Sequence, residues 1–236
     1  MPIEVYCRST VRDASDSAHV DMARAVYDAS AEGYGRFAGV EISAATEGPV
    51  DRSLLAAFVE LMADAPAGRV ADLGCGPGRV AAFLATHGFE VIGVDVSAAM
   101  VEAARNAHPT IEFELGQLAV LPMADASLAG AVAGTRSSTR HRSIVTTSAW
   151  SSVVYWLRAA TSCWSFRPAR VRAYTGLTLT ARTFRSLPYR HDPDVVIRTL
   201  SDTGLKVHTR ALREPQFTHE SPPQAFIIAR TEPRQS

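Results

Sequence analysis

Hydrophobic spacing along the chain switches repeatedly between the two periods that mark helices and strands. Residues 22–37 place Ala, Val and Tyr at helical intervals, and within 49–65 Leu54, Leu55, Phe58 and Leu61 share one helical face. Short apolar runs at 69–73, 90–95, 111–115 and 127–133 predict strands. Between them, 79–87 reads as a helix closed by Gly88, and a second helix runs through Ala104 from Ser97, which has N-cap chemistry. A helix at 193–201 stops at Gly204, and the strands 205–211 and 224–229 follow as an antiparallel pair. Alternating strands and helices predict an α/β fold with a doubly wound, mainly parallel sheet. Residues 1–20 lack periodicity and read as a loose N-terminus, leaving 21–236 as a single domain.

Composition narrows the function classes. The chain has 236 residues, 47% hydrophobic and 20% charged, and its 24 basic side chains cancel 24 acidic ones. A net charge of zero gives no footprint for nucleic-acid or anionic-membrane binding. Cys7, Cys75 and Cys163 are odd in number and match no metal spacing, which argues against a disulfide framework and predicts no metal. Glu4, Arg8, Arg12 and Asp13 interrupt the place where a signal peptide would need an apolar run, and no uncharged stretch nears the roughly 18 residues of a membrane span. A cytoplasmic protein is expected.

Chemistry concentrates in Asp72-Leu73-Gly74-Cys75-Gly76-Pro77-Gly78, between a predicted strand and a predicted helix. Glycines there let the backbone approach a ligand at the carboxyl edge of the sheet, where the next helix offers unpaired N–H groups. The following strand ends on Asp95, a carboxylate placed to accept both hydroxyls of a ribose. A dinucleotide site wants G-x-G-x-x-G, which disfavours a nicotinamide-dependent oxidoreductase here. The pattern is instead G-x-G-x-G behind an acid, which suits a cationic aminoacyl group better than a pyrophosphate.

At these residues the chain resembles the class I S-adenosylmethionine-dependent methyltransferases, with their Rossmann-like sheet. Residues 72–78 match the family's first motif, and Asp95, followed by Val96, matches its ribose-binding acid. Met100 falls where an apolar side chain covers adenine, and Gln117 with Leu118 falls in the loop flanking the adenine edge, where Asp or Ser is commoner than Gln. The resemblance implies S-adenosyl-L-methionine as cofactor and a small-molecule acceptor. It also implies an N-terminal helix that lids the cofactor, bringing Tyr27 and Tyr34 toward the acceptor. Methyl transfer from a sulfonium needs mainly positioning and desolvation, so no catalytic acid or base is implied. A non-catalytic remnant of the family is the alternative. Cys75 reads as a small filler, and His87, His108, His208 and His219 as surface or packing residues.

The family pattern stops after Ala133. Between Asp125 and Asp192 no Asp or Glu occurs, against about seven expected from the composition, while the stretch holds ten Arg, no Lys and all three Trp. A slipped reading frame accounts for this bias, because codons beginning with T encode Tyr, Trp, Cys, Phe and most Ser, and a middle T encodes an apolar residue. Residues 133–142 can be encoded so that the shifted frame reads Trp-Tyr-Ser-Ile-Ile-His-Thr-Pro-Pro. Residues 154–167 can likewise hide Leu-Leu-Ala-Pro-Gly-Gly-Tyr-Leu-Leu-Leu-Val-Phe-Pro, a helix end, a turn and a buried strand. The printed residues 134–188 are accordingly expected to form no ordinary core. The competing possibility is a basic, aromatic nucleic-acid patch at Arg136, Arg140, Arg142, Trp150, Trp156 and Trp164.

Overall fold

A computed structural model describes residues 14–63, 68–118, 121, 123, 127–135, 152–158, 192–202, 204–218, 220 and 223–231. Helices α1 (Ala14–Ala38) and α2 (Pro49–Met62) precede β1 (Arg69–Leu73), α3 (Arg79–Thr86), β2 (Val91–Asp95), α4 (Ala98–Ala107) and β3 (Glu112–Leu115). Then come β4 (Leu128–Thr135), β5 (Ser152–Arg158), α5 (Pro193–Asp202), β6 (Leu205–Arg213) and β7 (Gln224–Thr231). The seven strands form one sheet in the order β3-β2-β1-β4-β5-β7-β6. β3 through β5 run parallel, and β7 is antiparallel to both β5 and β6. This is the Rossmann-like, doubly wound sheet expected, and its order reverses between β1 and β4, where such sheets open a crevice at their carboxyl ends.

Helices cover both faces, so the central strands are apolar throughout rather than alternating. Val70, Val91, Val132 and Ile228 pack with Leu55 and Phe58 of α2, Leu84 of α3 and Val101 of α4. On the opposite face Ala71, Leu73, Ile92 and Val94 pack with Val196 and Leu200 of α5. Gly93 of β2 is required by this packing, since a Cβ there would lie 2.3 Å from Cδ1 of the Phe113 ring.

One expectation is corrected. The first helix starts at Ala14, inside the stretch expected to be loose, because Ala-Ser-Asp-Ser lacks the apolar spacing that betrays a helix. Within 134–188, expected to form no ordinary core, regular structure is described at two places. Residues 134–135 continue β4, and Ser152–Arg158 forms β5, with Tyr155 in register between Ala133 and Ile227. The printed residues of β5 are rich in Val, Tyr and Trp, which favour strands. The remainder of 134–188 lies outside the described residues, as does His219.

At the end of β6, Arg213 is buried between two carboxylates. Its Nε and Nη2 donate to Asp51 of α2 (2.8 and 3.1 Å), and its Nη1 and Nη2 donate to Glu220 (2.8 and 2.7 Å). Burial alone would raise the pKa of Glu220, but the Arg213 hydrogen bonds, the backbone N–H groups of Gln216 and Phe217 and the guanidinium charge win, holding it at about 2. A carboxylate whose pKa folding depresses stabilises the fold above its unfolded value and loses that contribution as pH falls. Chemical denaturation at stepped pH should therefore show stability declining between about pH 5 and 2, and Glu220→Gln should remove much of that dependence. Arg213→Ala, which leaves two buried carboxylates without their cation, should cost about 3–5 kcal/mol at pH 7.

Candidate functional site

Between β1 and α3 the backbone turns through three left-handed glycines, Gly74, Gly76 and Gly78, with φ of 72°, 53° and 86°. At Gly78 space excludes any other residue as firmly as φ does, because a Cβ would lie 2.8 Å from Phe113 and 2.9 Å from His108. The turn is tied to β2 by the N–H groups of Gly74 and Cys75, which both donate to the Val94 carbonyl (2.7 and 3.1 Å). Leu73, Cys75 and Pro77 are buried within it. Burial, reinforced by Asp72 and Asp95, pushes the Cys75 thiol well above its ordinary range, which leaves it a poor nucleophile and consistent with a filler role.

Two carboxylates flank the turn. Asp72 is 2% exposed, and its Oδ2 accepts from the N–H of Ala81 in α3 (2.9 Å). Burial raises its pKa to about 7, with Asp95 adding to the rise and the Ala81 bond and Arg79 opposing it. Arg79 offers little relief, since its guanidinium is itself bound to Glu47 and to Thr46 Oγ1 in the segment between α1 and α2. Asp95, at the end of β2, accepts from Gly76 N at Oδ2 and from Ser97 N at Oδ1, both at 2.9 Å. Burial raises its pKa too, against three backbone hydrogen bonds and with Asp28 adding to the rise.

The other expected site residues divide. Met100 is buried with its N–H capped by Ser97 Oγ (3.1 Å), and Val96 is half-buried beside Asp95. Gly116 N donates to the Asp95 carbonyl (2.9 Å), which brings Gln117 to the same strand ends with its side chain exposed. Leu118 instead packs against the apolar core on the α5 face of the sheet. Tyr34 of α1 reaches the turn, with its ring 3.7 Å from where a Cβ on Gly76 would sit. Tyr27 lies two helical turns earlier and is half-buried. His87 and His208 are exposed, and His108 Nε2 lies 2.9 Å from the Val40 carbonyl.

Three participants escape sequence reasoning. Asp28 of α1 accepts from Ser97 Oγ (2.5 Å) and Ala99 N (3.2 Å), while Arg79 and Glu47 pair in the interior. A helical Asp and a helix-start Arg look solvated in one dimension, and nothing local marks their distant partners. Among the described residues no cluster of His, Cys, Asp and Glu could hold a metal ion.

Comparison with known proteins agrees with this geometry. Residues 70–151 match the family described as methyltransferase domain. A trans-aconitate 2-methyltransferase of Paracidovorax citrulli is 45% identical over 65 residues, 25% of each chain. An S-adenosyl-L-methionine-dependent Diels-Alderase of Talaromyces variabilis is 38% identical over 78 residues, 32% of this chain and 27% of the relative. The chain thus matches about a quarter of the length of these relatives. Among solved structures, magnesium protoporphyrin IX methyltransferase from Synechocystis PCC 6803 with bound SAM superposes with a TM-score of 0.61 at 16% identity, covering 95% of this chain and 100% of the other. The chain therefore has the Rossmann-like fold seen in class I S-adenosylmethionine-dependent methyltransferases, and its residues 70–151 match a methyltransferase domain.

Proposed function

We propose that the chain is an S-adenosylmethionine-dependent methyltransferase acting on a small molecule. The observation that carries this reading is the pair of buried carboxylates, Asp72 and Asp95, set on either side of a left-handed glycine turn at adjoining strand ends. Asp72 fits a cationic amino acid head, because a buried carboxylate held near neutrality by desolvation is relieved by an incoming ammonium group. Asp95 fits a ribose: two backbone N–H groups fix its orientation, and each oxygen retains a lone pair for a hydroxyl. The backbone of Leu73, Gly74, Cys75, Gly76, Pro77 and Gly78 would lie along the cofactor, with Val96, Met100 and Gln117 around the adenine.

When bound, S-adenosylmethionine supplies a methyl group on a sulfonium. The chain's own work is to hold it, orient it and exclude water. The turn and the two carboxylates do the first, and α1, carrying Tyr27 and Tyr34, supports the others from above the strand ends. A small acceptor is favoured by the zero net charge and by the trans-aconitate relative. No described helix is long and apolar enough to cross a membrane. The buried free thiol of Cys75 suits a reducing cytoplasm.

We also propose that 134–188 is read out of frame, supported by its lack of acids and by the two hidden apolar stretches. Genomic reads across codons 130–192 should show compensating slips near 133 and 188, and a frame-restored chain should melt higher. Reads confirming the printed frame would make β5 and its neighbours an evolved surface.

Calorimetry should show S-adenosylmethionine binding, weakened by about 1.5–3 kcal/mol in Asp95→Ala through loss of charge-assisted bonds. Preferential binding of NAD would overturn the reading. Affinity should fall as pH drops through about 7, where Asp72 takes up a proton. Because folding raises this carboxyl's pKa from 3.8, its ionised form opposes folding, and ligand-free stability should fall between about pH 4 and 7. Asp72→Asn keeps the acceptor for Ala81, so it should stabilise the ligand-free protein at pH 8 by about 1–3 kcal/mol while weakening cofactor binding.

A further inference from the structure

Arg79 opens α3, where a cation opposes the helix dipole and, directly behind the glycine turn, would repel a cationic ligand. It also begins the helix whose Ala81 N–H reaches Asp72, and the two charges bear on each other. A free guanidinium there would compete with an incoming ammonium group for the same carboxylate. The side chain is instead turned away and buried, with Nη1 donating to Thr46 Oγ1 (3.1 Å) and to Glu47.

Glu47 is fixed by its own segment. Its Oε1 takes Arg79, while its Oε2 accepts from Ser43 N (3.1 Å) and Thr46 Oγ1 (2.7 Å), within a turn closed by Glu47 N on the Ser43 carbonyl (2.9 Å). The next residues are held separately, by Arg52 on the Glu47 carbonyl and by Asp51 on Gly48 N (2.7 Å). A carboxylate placed in this way, buried and without contact to the glycine turn, reaches across to one partner in α3.

We propose that Glu47 is a positioning residue for the cofactor site: by holding Arg79 it withholds the guanidinium from Asp72 and leaves that carboxylate for the ammonium group of the ligand. The identity of the ligand rests on the S-adenosylmethionine reading above. The groups that bear on Asp72 are Asp95 of β2, Arg79 and the Ala81 N–H of α3, and Cys75 in the turn. Burial and Asp95 favour its neutral form, and Arg79 is the cation of the set, so the division of Arg79 between Glu47 and Asp72 sets how strongly Asp72 demands a positive charge. Released from Glu47, Arg79 would meet part of that demand itself. The ammonium group would then bring less relief and would face a like charge.

Carboxyl carbon NMR on the full, ligand-free chain, with Asp72→Asn identifying the resonance, tests this. Glu47→Gln should lower the titration midpoint of Asp72 by about one pH unit, and Arg79→Gln, which leaves the Glu47 charge unbalanced, should raise it. The neutral pair, Glu47→Gln with Arg79→Gln, should return the midpoint to within about half a unit of the parent. Calorimetry at pH 8 should show S-adenosylhomocysteine bound roughly fivefold more weakly by Glu47→Gln and rescued in the neutral pair, while methylthioadenosine, which lacks the amino acid head, changes less than about twofold. Asp72 midpoints unmoved in both single variants overturn the proposal, as does equal weakening of both ligands, the mark of a displaced glycine turn. If Glu47→Gln does not fold, Arg79→Gln and the neutral pair still decide the matter through the direction of the shift and its reversal. If the parent binds no S-adenosylhomocysteine, the cofactor reading fails, while the midpoints of the ligand-free variants still decide whether Glu47 withholds Arg79 from Asp72.

Discussion

The Asp95 carboxylate bonds two turns that belong to different crossovers. Its Oδ2 holds Gly76, in the turn leaving β1, and its Oδ1 holds Ser97, at the start of α4. Both donors are backbone groups that burial would otherwise leave without water, and an orphaned buried N–H costs about as much as the hydrogen bond it lacks. One side chain thus satisfies two turns and fixes their separation. The left-handed glycines, the cap on α4 and the seat of α1 all take their positions from it.

Holding a charge there is expensive, and the molecule treats its interior carboxylates in two different ways. Asp51 and Glu220 share the guanidinium of Arg213, and Glu47 has Arg79, so these acids are compensated within the fold. Asp72 and Asp95 bear on each other and, among the described residues, accept hydrogen bonds from backbone donors alone, with Arg79 engaged elsewhere. The first group spends its charge on structure. The second keeps an unmet demand for positive charge and hydroxyl donors, which marks where a ligand belongs.

Much of this is written locally in the chain. The run from Asp72 to Gly78 announces its turn because glycine is cheap where φ is positive, Ser97 announces its helix because a hydroxyl caps an N-terminus, and the apolar strands announce a sheet covered on both faces. What is not local is not legible. Asp28 and Ser97 stand 69 residues apart, and Asp51 and Arg213 stand 162 apart, and no period or motif links residues that meet only after the sheet has formed. The start of α1 is hidden because its residues lack apolar spacing. The β5 strand is hidden because its composition sets it among residues without acids, although Val153, Val154, Tyr155 and Trp156 carry ordinary strand preference.

The strand order also sets a schedule for synthesis. β1, β2 and β3 are adjacent in the sheet and emerge consecutively, but the other edge of β1 waits for β4, and the second edge of β5 waits for β7. At about 5–20 residues per second, roughly 3–12 s pass between completion of β1 and completion of β4. During that interval the nascent chain carries an unpaired apolar edge of the kind that recruits other strands. The strand that ends beside Asp72 is thus both the centre of the finished sheet and, while the ribosome is still working, its most adhesive border.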